Sequence, residues 1–351
     1  MFKNKVCRAV IAGLFTLSLA GCSSSAAPEK AQAQYNGEEG KITVYLSGPE
    51  AMVNQLEEEF EKDRGDCVEI YHAGCGPLRQ KIWTEVEANN LEADVFFGSN
   101  PIIYERLSDM GALDSYESEE AKNILPEYQV DHDDYCLVNS RYEIIAYDKN
   151  AVSGEDVPSE YVDLADPKFE GSVVYTDPSQ SSTSLALTAG LWQISGNNNA
   201  LFEKLGQNNP LIVPKSKAVP EKIEAGEMKA GITPHDAIAR LSRRAKKQGF
   251  TFNVGMAWPK DGAIRIERPI AIMHNDARPE KNQKLCQEFI DFMLTDGQKI
   301  TTKFAFYPTV EGYETPKGLP ENPEAVVIDW KNIAGNETEI IQQFQAATVK
   351  E

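Results

Sequence analysis

Short loops rich in hydroxyls and glycines stand where strands give way to helices, a placement suited to anion binding. Ser181-Ser182-Thr183 lies between a strand and a helix. Its hydroxyls, with the free N–H groups of the helix start, can hold an anion or simply cap the helix. Ser47-Gly48-Pro49-Glu50 is similar in kind: Ser47 can donate to an anion, while Glu50 suits a first helical turn. Gly74-Cys75-Gly76-Pro77 and Gly98-Ser99-Asn100 fill two further loops, each equally readable as ordinary turn chemistry. His235-Asp236 sets an imidazole beside a carboxylate. Such a pair can donate to a phosphate or sugar oxygen and accept from hydroxyls, or it can merely open a helix after Pro234. Lys260 and Asp261 follow a strand and are candidates to face the same site, with Arg79 and Lys81 as further cations for a phosphate.

Other chemistries find little support. The chain has no P-loop, no His-Glu-x-x-His zinc motif and no Gly-x-Ser-x-Gly elbow. Asp131-His132-Asp133-Asp134 reads as a polar turn rather than a metal cluster. No catalytic residue, resident metal or cofactor is expected. A net charge of −19 argues against nucleic acid as a partner, and Arg243-Arg244 with Lys246-Lys247 reads as a solvated helix face.

The elements that must position these loops alternate. Ile42–Tyr45 is a β-branched run, and Met52, Val53, Leu56 and Phe60 then mark one face of a helix. A strand at Cys67–Tyr71, a helix carrying Leu78, Ile82 and Val86, a strand at Asp94–Phe97 and a helix from Ile103 follow. The order repeats with strands at Val173–Tyr175, Ala230–Thr233 and Phe252–Ala257, and helices at Ser184–Trp192 and His235–Lys247. Ile264–Met273 is a long extended run, and Gln283–Leu294 is an amphipathic helix. Alternation of this kind predicts a parallel sheet covered by helices. In open α/β sheets ligands bind beyond the carboxyl ends of the strands, where the loops above lie.

The first residues have another purpose. Lys3, Lys5 and Arg8 precede an apolar run from Ala9 to Leu19 that ends in Leu19-Ala20-Gly21-Cys22. The run is well short of the roughly 20 residues that span a bilayer and reads as a secretory signal. It resembles the bacterial lipoprotein signal, which implies removal of residues 1–21 and lipidation of Cys22. Loss of the three signal cations leaves a mature charge of −22. Residues 22–40 are rich in Ser, Ala, Glu and Gln and read as a disordered tether. Of six cysteines, Cys67, Cys75, Cys136 and Cys286 remain; Cys67 and Cys75 can form a disulfide outside the cytoplasm or stay as thiols.

The chain resembles the substrate-binding proteins of ABC importers, in the branch of ferric-iron, phosphonate and sugar-phosphate binders. The resemblance runs through Ile42-Thr43-Val44-Tyr45-Leu46-Ser47, Phe60-Glu61-Lys62 and Ala93-Asp94-Val95-Phe96-Phe97-Gly98. It continues through the stretches from Asp163 to Gly171 and from Asp177 to Thr183, then Phe289-Ile290-Asp291-Phe292 and Tyr307-Pro308-Thr309-Val310. It implies a two-lobed α/β type II periplasmic-binding-protein fold with the ligand cleft between the lobes. The first lobe would be residues 41–147, completed by 265–351, and the second 148–264. The implied ligand residues are Ser47, Gly48, Cys75, Gly76, Ser99, Ser181, Ser182, Thr183, His235, Asp236 and Asp261. In the family the Ser181 loop usually reads Ser-Gly-Thr, and a serine is usual where Cys75 stands. Iron-binding members carry two adjacent tyrosines at the position of Thr233-Pro234-His235-Asp236. No Tyr-Tyr dipeptide occurs here, so a ferric site would need other oxygen ligands, with Tyr307 the first candidate.

The expectation is a lipid-anchored, extracytoplasmic monomer that performs no chemistry. It captures a small anionic solute, a sugar phosphate or phosphonate, by hinge closure and passes it to a membrane permease. Ferric-iron binding is the alternative within that class, and an extracellular sensor or enzyme on the same fold the alternative outside it.

Overall fold

The protein's computed structural model describes residues 35–349. The expected signal, Cys22 and most of the tether lie outside the described residues. From the first strand the chain runs β1 (Ile42–Leu46), α1 (Glu50–Glu61), β2 (Val68–His72), α2 (Cys75–Glu87), β3 (Val95–Phe97), α3 (Pro101–Asp109) and β4 (Leu113–Asp114). A long β5 (Cys136–Asp148) leads to β6 (Val173–Thr176), α4 (Ser182–Ile194), α5 (Ala200–Gln207), β7 (Leu211–Val213) and α6 (Ala218–Glu224). Then come β8 (Ala230–Pro234), α7 (His235–Gln248), β9 (Val254–Ala257) and a second long strand, β10 (Ala263–Met273). The chain ends with α8 (Glu280–Leu294), α9 (Asp296–Lys303), β11 (Tyr307–Pro308), β12 (Ala325–Val326), α10 (Trp330–Ala334) and α11 (Glu337–Thr348).

The sheet order β2-β1-β3-β10-β5-β8-β6-β7 explains where the cleft must fall. At one end β1 pairs in parallel with β2 and β3; at the other β6 pairs in parallel with β8 and β7. Between them β10 and β5 are antiparallel to each other, β10 to β3 and β5 to β8. Two parallel α/β units are thus joined by two long strands, the two-lobed architecture of type II periplasmic binding proteins. The register of the β5–β10 pair shifts between Arg268 and Pro269, where proline has no N–H to give the ladder.

Each unit has its own core. Met52, Val53, Leu56 and Phe60 of α1 repeat at helical spacing and are all buried. Phe60 meets Phe289 of α8 edge-on, with ring centroids 4.9 Å apart. The second core gathers Tyr161, Leu185, Phe202 and Phe344. Burying aromatic and aliphatic side chains of this size contributes about 1.5–3 kcal/mol each. From Ser182 to Trp192, α4 is buried all round. It lies so close to β10 that a Cβ on Gly190 would come within 2.7 Å of Ile264. The long strands serve both cores: β5 gives Leu137 and Val138 to the first and Ile145 to the second, and β10 gives Ile270–Met273 and then Ile264 and Ile266.

Two expected boundaries are corrected. Residues 265–351 do not all return to the first core: α8 and α9 do, but Ile333, Ile340 and Phe344 of α10 and α11 join the second. Phe344 packs edge-on against Phe202 of α5 at 5.4 Å. The apolar face of α11 covers α4 and α5, which would otherwise expose theirs. The tether also ends earlier than residue 40. Tyr35 donates to Asp94 at 3.0 Å, and the Gly40 N–H donates to Asn282 at 2.7 Å, fixing this stretch to the body.

Candidate functional site

The loops after β1, β2, β3 and β6 converge on one cavity of about 560 Å³. From the first core's side come Ser47, Gly48 and Glu50, then Cys75 and Gly76 at the start of α2, and Ser99 after β3. Ser181, Ser182 and Thr183 line it from the second, with Lys215, Ser216 and Lys217 from the β7–α6 loop and Asp236 and Arg240 from α7. The floor is Arg141 of β5 and Arg268 of β10, beside Phe306.

The Ser181 loop divides its work. The Ser181 side chain caps α4, accepting from the Ser184 N–H at 3.2 Å. Thr183 Oγ1 accepts from Arg141 Nη2 at 3.3 Å. Ser182 Oγ is buried without a partner among the described residues, and Asn100 fixes its backbone by donating to the Ser182 carbonyl at 3.2 Å. A buried hydroxyl left unpartnered at a cavity wall costs stability unless something completes it.

Ser99 is the hub of the floor. Its Oγ accepts from Arg268 Nε at 3.2 Å, Arg141 Nη2 at 3.4 Å and the Cys75 thiol at 3.1 Å. The same thiol lies 3.0 Å from Ser47 Oγ. Cys67 and Cys75 are both free thiols. Arg268 is fully buried, its guanidinium held between Phe97 and Phe306 at 4.3 and 4.4 Å from the ring centres. It also donates to Asn139 Oδ1 at 3.3 Å. Burial and the neighbouring Arg141 charge pull this guanidinium down to about 10, still charged at neutral pH. Arg141 donates to Asp236 at 3.2 Å, and Arg240 donates to the other carboxylate oxygen at 2.9 Å. Burial would raise the Asp236 carboxyl, but the two arginines outweigh it and hold it at about 2. One step along β5 from the floor, Glu143 is buried with Oε1 unpartnered, and burial pushes its carboxyl up to about 8 against the pull of Arg141.

Nine of the expected ligand residues therefore line one cavity: Ser47, Gly48, Cys75, Gly76, Ser99, Ser181, Ser182, Thr183 and Asp236. His235 and Asp261 do not, and both are corrected. His235 is fully buried away from the cavity. Its Nε2 donates to the Ala305 carbonyl at 2.7 Å, which leaves Nδ1 to accept from the Tyr142 N–H at 3.0 Å. The rings of Tyr142, Trp258 and Tyr307 surround it, and burial lowers its pKa. Asp261 is exposed in the turn between β9 and β10. The cations singled out also fall elsewhere. Lys81 pairs with Glu85 and Glu92 at 2.6 and 2.7 Å, and Arg79 and Lys260 are not in the lining. Tyr307 faces a separate cavity with Tyr128 and Tyr142.

Sequence reasoning missed Arg141, Arg268, Arg240, Lys215 and Lys217. A signal was there for the first two. Arg268 stands inside the extended run Ile264–Met273 and Arg141 at the head of the mainly apolar stretch Tyr142–Tyr147, and a buried charge requires partners or a ligand.

Fold and cavity together define a binding protein of the two-lobed type II periplasmic class. The chain belongs to the bacterial extracellular solute-binding protein family, whose model matches residues 92–336. It is similar to Iron uptake protein A1 of Synechocystis sp., at 26% identity over 309 residues, 86% of this chain and 84% of that one. An uncharacterized protein of Haemophilus influenzae is 24% identical over 312 residues, 86% and 83% of the two chains. Among solved structures it is similar to iron-bound HitA from Pseudomonas aeruginosa, with a TM-score of 0.75, 20% identity and 88% and 99% coverage. It is likewise similar to AfuA from Actinobacillus pleuropneumoniae with fructose-6-phosphate bound, with a TM-score of 0.71, 20% identity and 89% and 99% coverage. The resemblance drawn from the sequence, to solute-binding proteins of the iron and sugar-phosphate branch, stands.

Proposed function

We propose that this solute-binding protein captures a small organic oxyanion, a sugar phosphate or phosphonate, and delivers it to an ABC permease without altering it. The charge of the cavity carries the reading. Among the described residues five cations line it, Arg141, Arg240, Arg268, Lys215 and Lys217, against two carboxylates, Glu50 and Asp236. On a chain of net charge −19 this concentration of positive charge is a local feature, and it favours anions over the rest of the surface. The unpartnered Ser182 hydroxyl and Arg141 Nε supply donors for phosphoryl oxygens. Because the lining comes from both cores and the floor from the strands joining them, a bound solute bridges the lobes and shifts the population toward a closed form. We extend the proposal to a monomer held extracytoplasmically at the membrane by a lipid on Cys22.

Ferric iron is the second reading, favoured by the iron-related names of relatives. Against it, no tyrosine among the described residues lines the cavity, and Asp236 is already held by two arginines. Iron would need a bound anion to complete its shell. Isothermal titration of the full chain with glucose phosphate and methylphosphonate tests the first reading. A ligand at 100 times its Kd adds about 2.7 kcal/mol of stability. A charge-transfer band with ferric citrate, and no heat with either organic anion, would overturn it.

A further inference from the structure

We infer that the solute carries a second anionic group, a carboxylate or another phosphoryl group, and that Lys215 and Lys217 select for it. The inference rests on the anion reading above and concerns what lies beyond the anionic head.

Lys215 and Lys217 stand on the β7–α6 loop and line the same cavity as the arginine floor. Both are exposed, and neither enters an ion pair or side-chain hydrogen bond among the described residues. The loop between them is fixed. Thr233 Oγ1 donates to the Ser216 carbonyl at 3.2 Å, and Ser216 Oγ lies 3.4 Å from Ser181 Oγ. The loop that carries the two lysines is thereby fixed beside the start of α4, where Ser182 and Thr183 line the cavity.

Charge decides between one anionic group and two. Asp236 is shared by Arg141 and Arg240, and Glu50 is the other carboxylate of the lining, leaving the cavity at +3. A phosphomonoester or phosphonate head brings about −1.5 to −2 at neutral pH. With the head on the buried Arg141–Arg268 floor, the lysines would remain uncompensated as the lobes close. Position points the same way. Glu50 repels a second anion on the α1 side, so the second group must extend toward the lysine loop. Flexible, hydrated ammonium groups at a rim suit a carboxylate of variable placement, whereas the planar guanidinium groups of the floor suit the tetrahedral head.

The test compares propylphosphonate with phosphonopropionate, which has the same carbon count and a terminal carboxylate, by isothermal titration on the full chain. The expected result is that phosphonopropionate binds at least about tenfold tighter, as a charge-assisted contact requires. K215Q/K217Q should erase that preference, weakening phosphonopropionate at least about tenfold more than propylphosphonate. Both lysines are exposed, so an unchanged melting curve of the ligand-free variant should accompany this result. Equal affinities in the unaltered protein, or equal weakening of both compounds by K215Q/K217Q, would overturn the second-anion inference while leaving the anionic head in place. The latter outcome would reduce the lysines to steering. Binding of neither phosphonate would overturn this inference, and the absence of heat with glucose phosphate as well would overturn the anion reading with it.

Discussion

Two faces of β5 and of the turn into α7 meet opposite surroundings, although their residues are neighbours in the chain. Arg141 and Asp236 face the cleft and bind each other at 3.2 Å. Tyr142 and His235, one residue away in each case, pack into an aromatic cluster with Trp258 and Tyr307. The strand alternates sides with a period of two, and the helix start turns its first residue inward. On the cleft side the charges are held ready but incompletely satisfied, as the unpartnered Ser182 hydroxyl and Arg141 Nε show. On the cluster side each His235 nitrogen has a backbone partner. Chemical aptitude alone therefore does not identify a ligand residue. His235 has suitable chemistry, but its hydrogen bonds are already made by the scaffold.

Substitutions on the two faces should have opposite consequences. Arg141→Ala should have the largest effect, reducing methylphosphonate affinity by about 100-fold through loss of charge-assisted contacts. Titration calorimetry reads this directly, and an unchanged Kd would remove Arg141 from the floor. His235→Gln should do the reverse: unfolding free energy falls by about 2 kcal/mol while Kd stays within about threefold. A loss of binding at unchanged stability would mean that the cluster communicates with the cleft.

Glu143 gives a pH test between the two faces. Its folded pKa of about 8 exceeds the ordinary 4.5, so the folded state keeps a proton that the unfolded state has released. The stability contributed by this group is complete below about pH 4.5 and is lost as pH rises through about 8. Urea unfolding of Glu143→Gln beside the original chain should show the variant gaining roughly 4 kcal/mol in relative stability between pH 5 and pH 9. A constant difference across that range would show that Glu143 does not titrate as described.

Ser182→Ala with Thr183→Ala should weaken methylphosphonate binding by about tenfold, the value of neutral hydroxyl donors, with little change in melting temperature because Ser181 remains as the cap. Asp261→Asn should be smallest, with Kd unchanged within about twofold. A larger effect would place the β9–β10 turn in the closed site.

Much of the fold was legible because its signals are local. The α1 face of Met52, Val53, Leu56 and Phe60 and the run Ile264–Met273 each declare their period within a few residues. The hydroxyl loops were legible for the same reason, since a strand-to-helix junction brings them to the strand ends. The short β7 and β12 strands and the small α6 and α10 helices carry too few residues for a period to show. The destination of α11 depends on α4 and α5, more than a hundred residues away in the chain. The floor was missed because Arg141, between Asn139-Ser140 and Tyr142-Glu143, and Arg268, after Glu267, stand among other polar residues, and local pattern does not show which of them turns to the cleft.

Local sequence signals were enough for the α/β class, the order of the longer strands and helices and the hydroxyl-bearing loops of the cavity, because periodicity and turn chemistry act over short stretches. Only the tertiary structure decided which charges meet. Arg141 and Arg268 are 127 positions apart and reach Ser99 together because β5 and β10 lie side by side. His235 and Asp236 were parted by the same packing. Which side a residue faces depends on the strand beside it, and that strand comes from elsewhere in the chain.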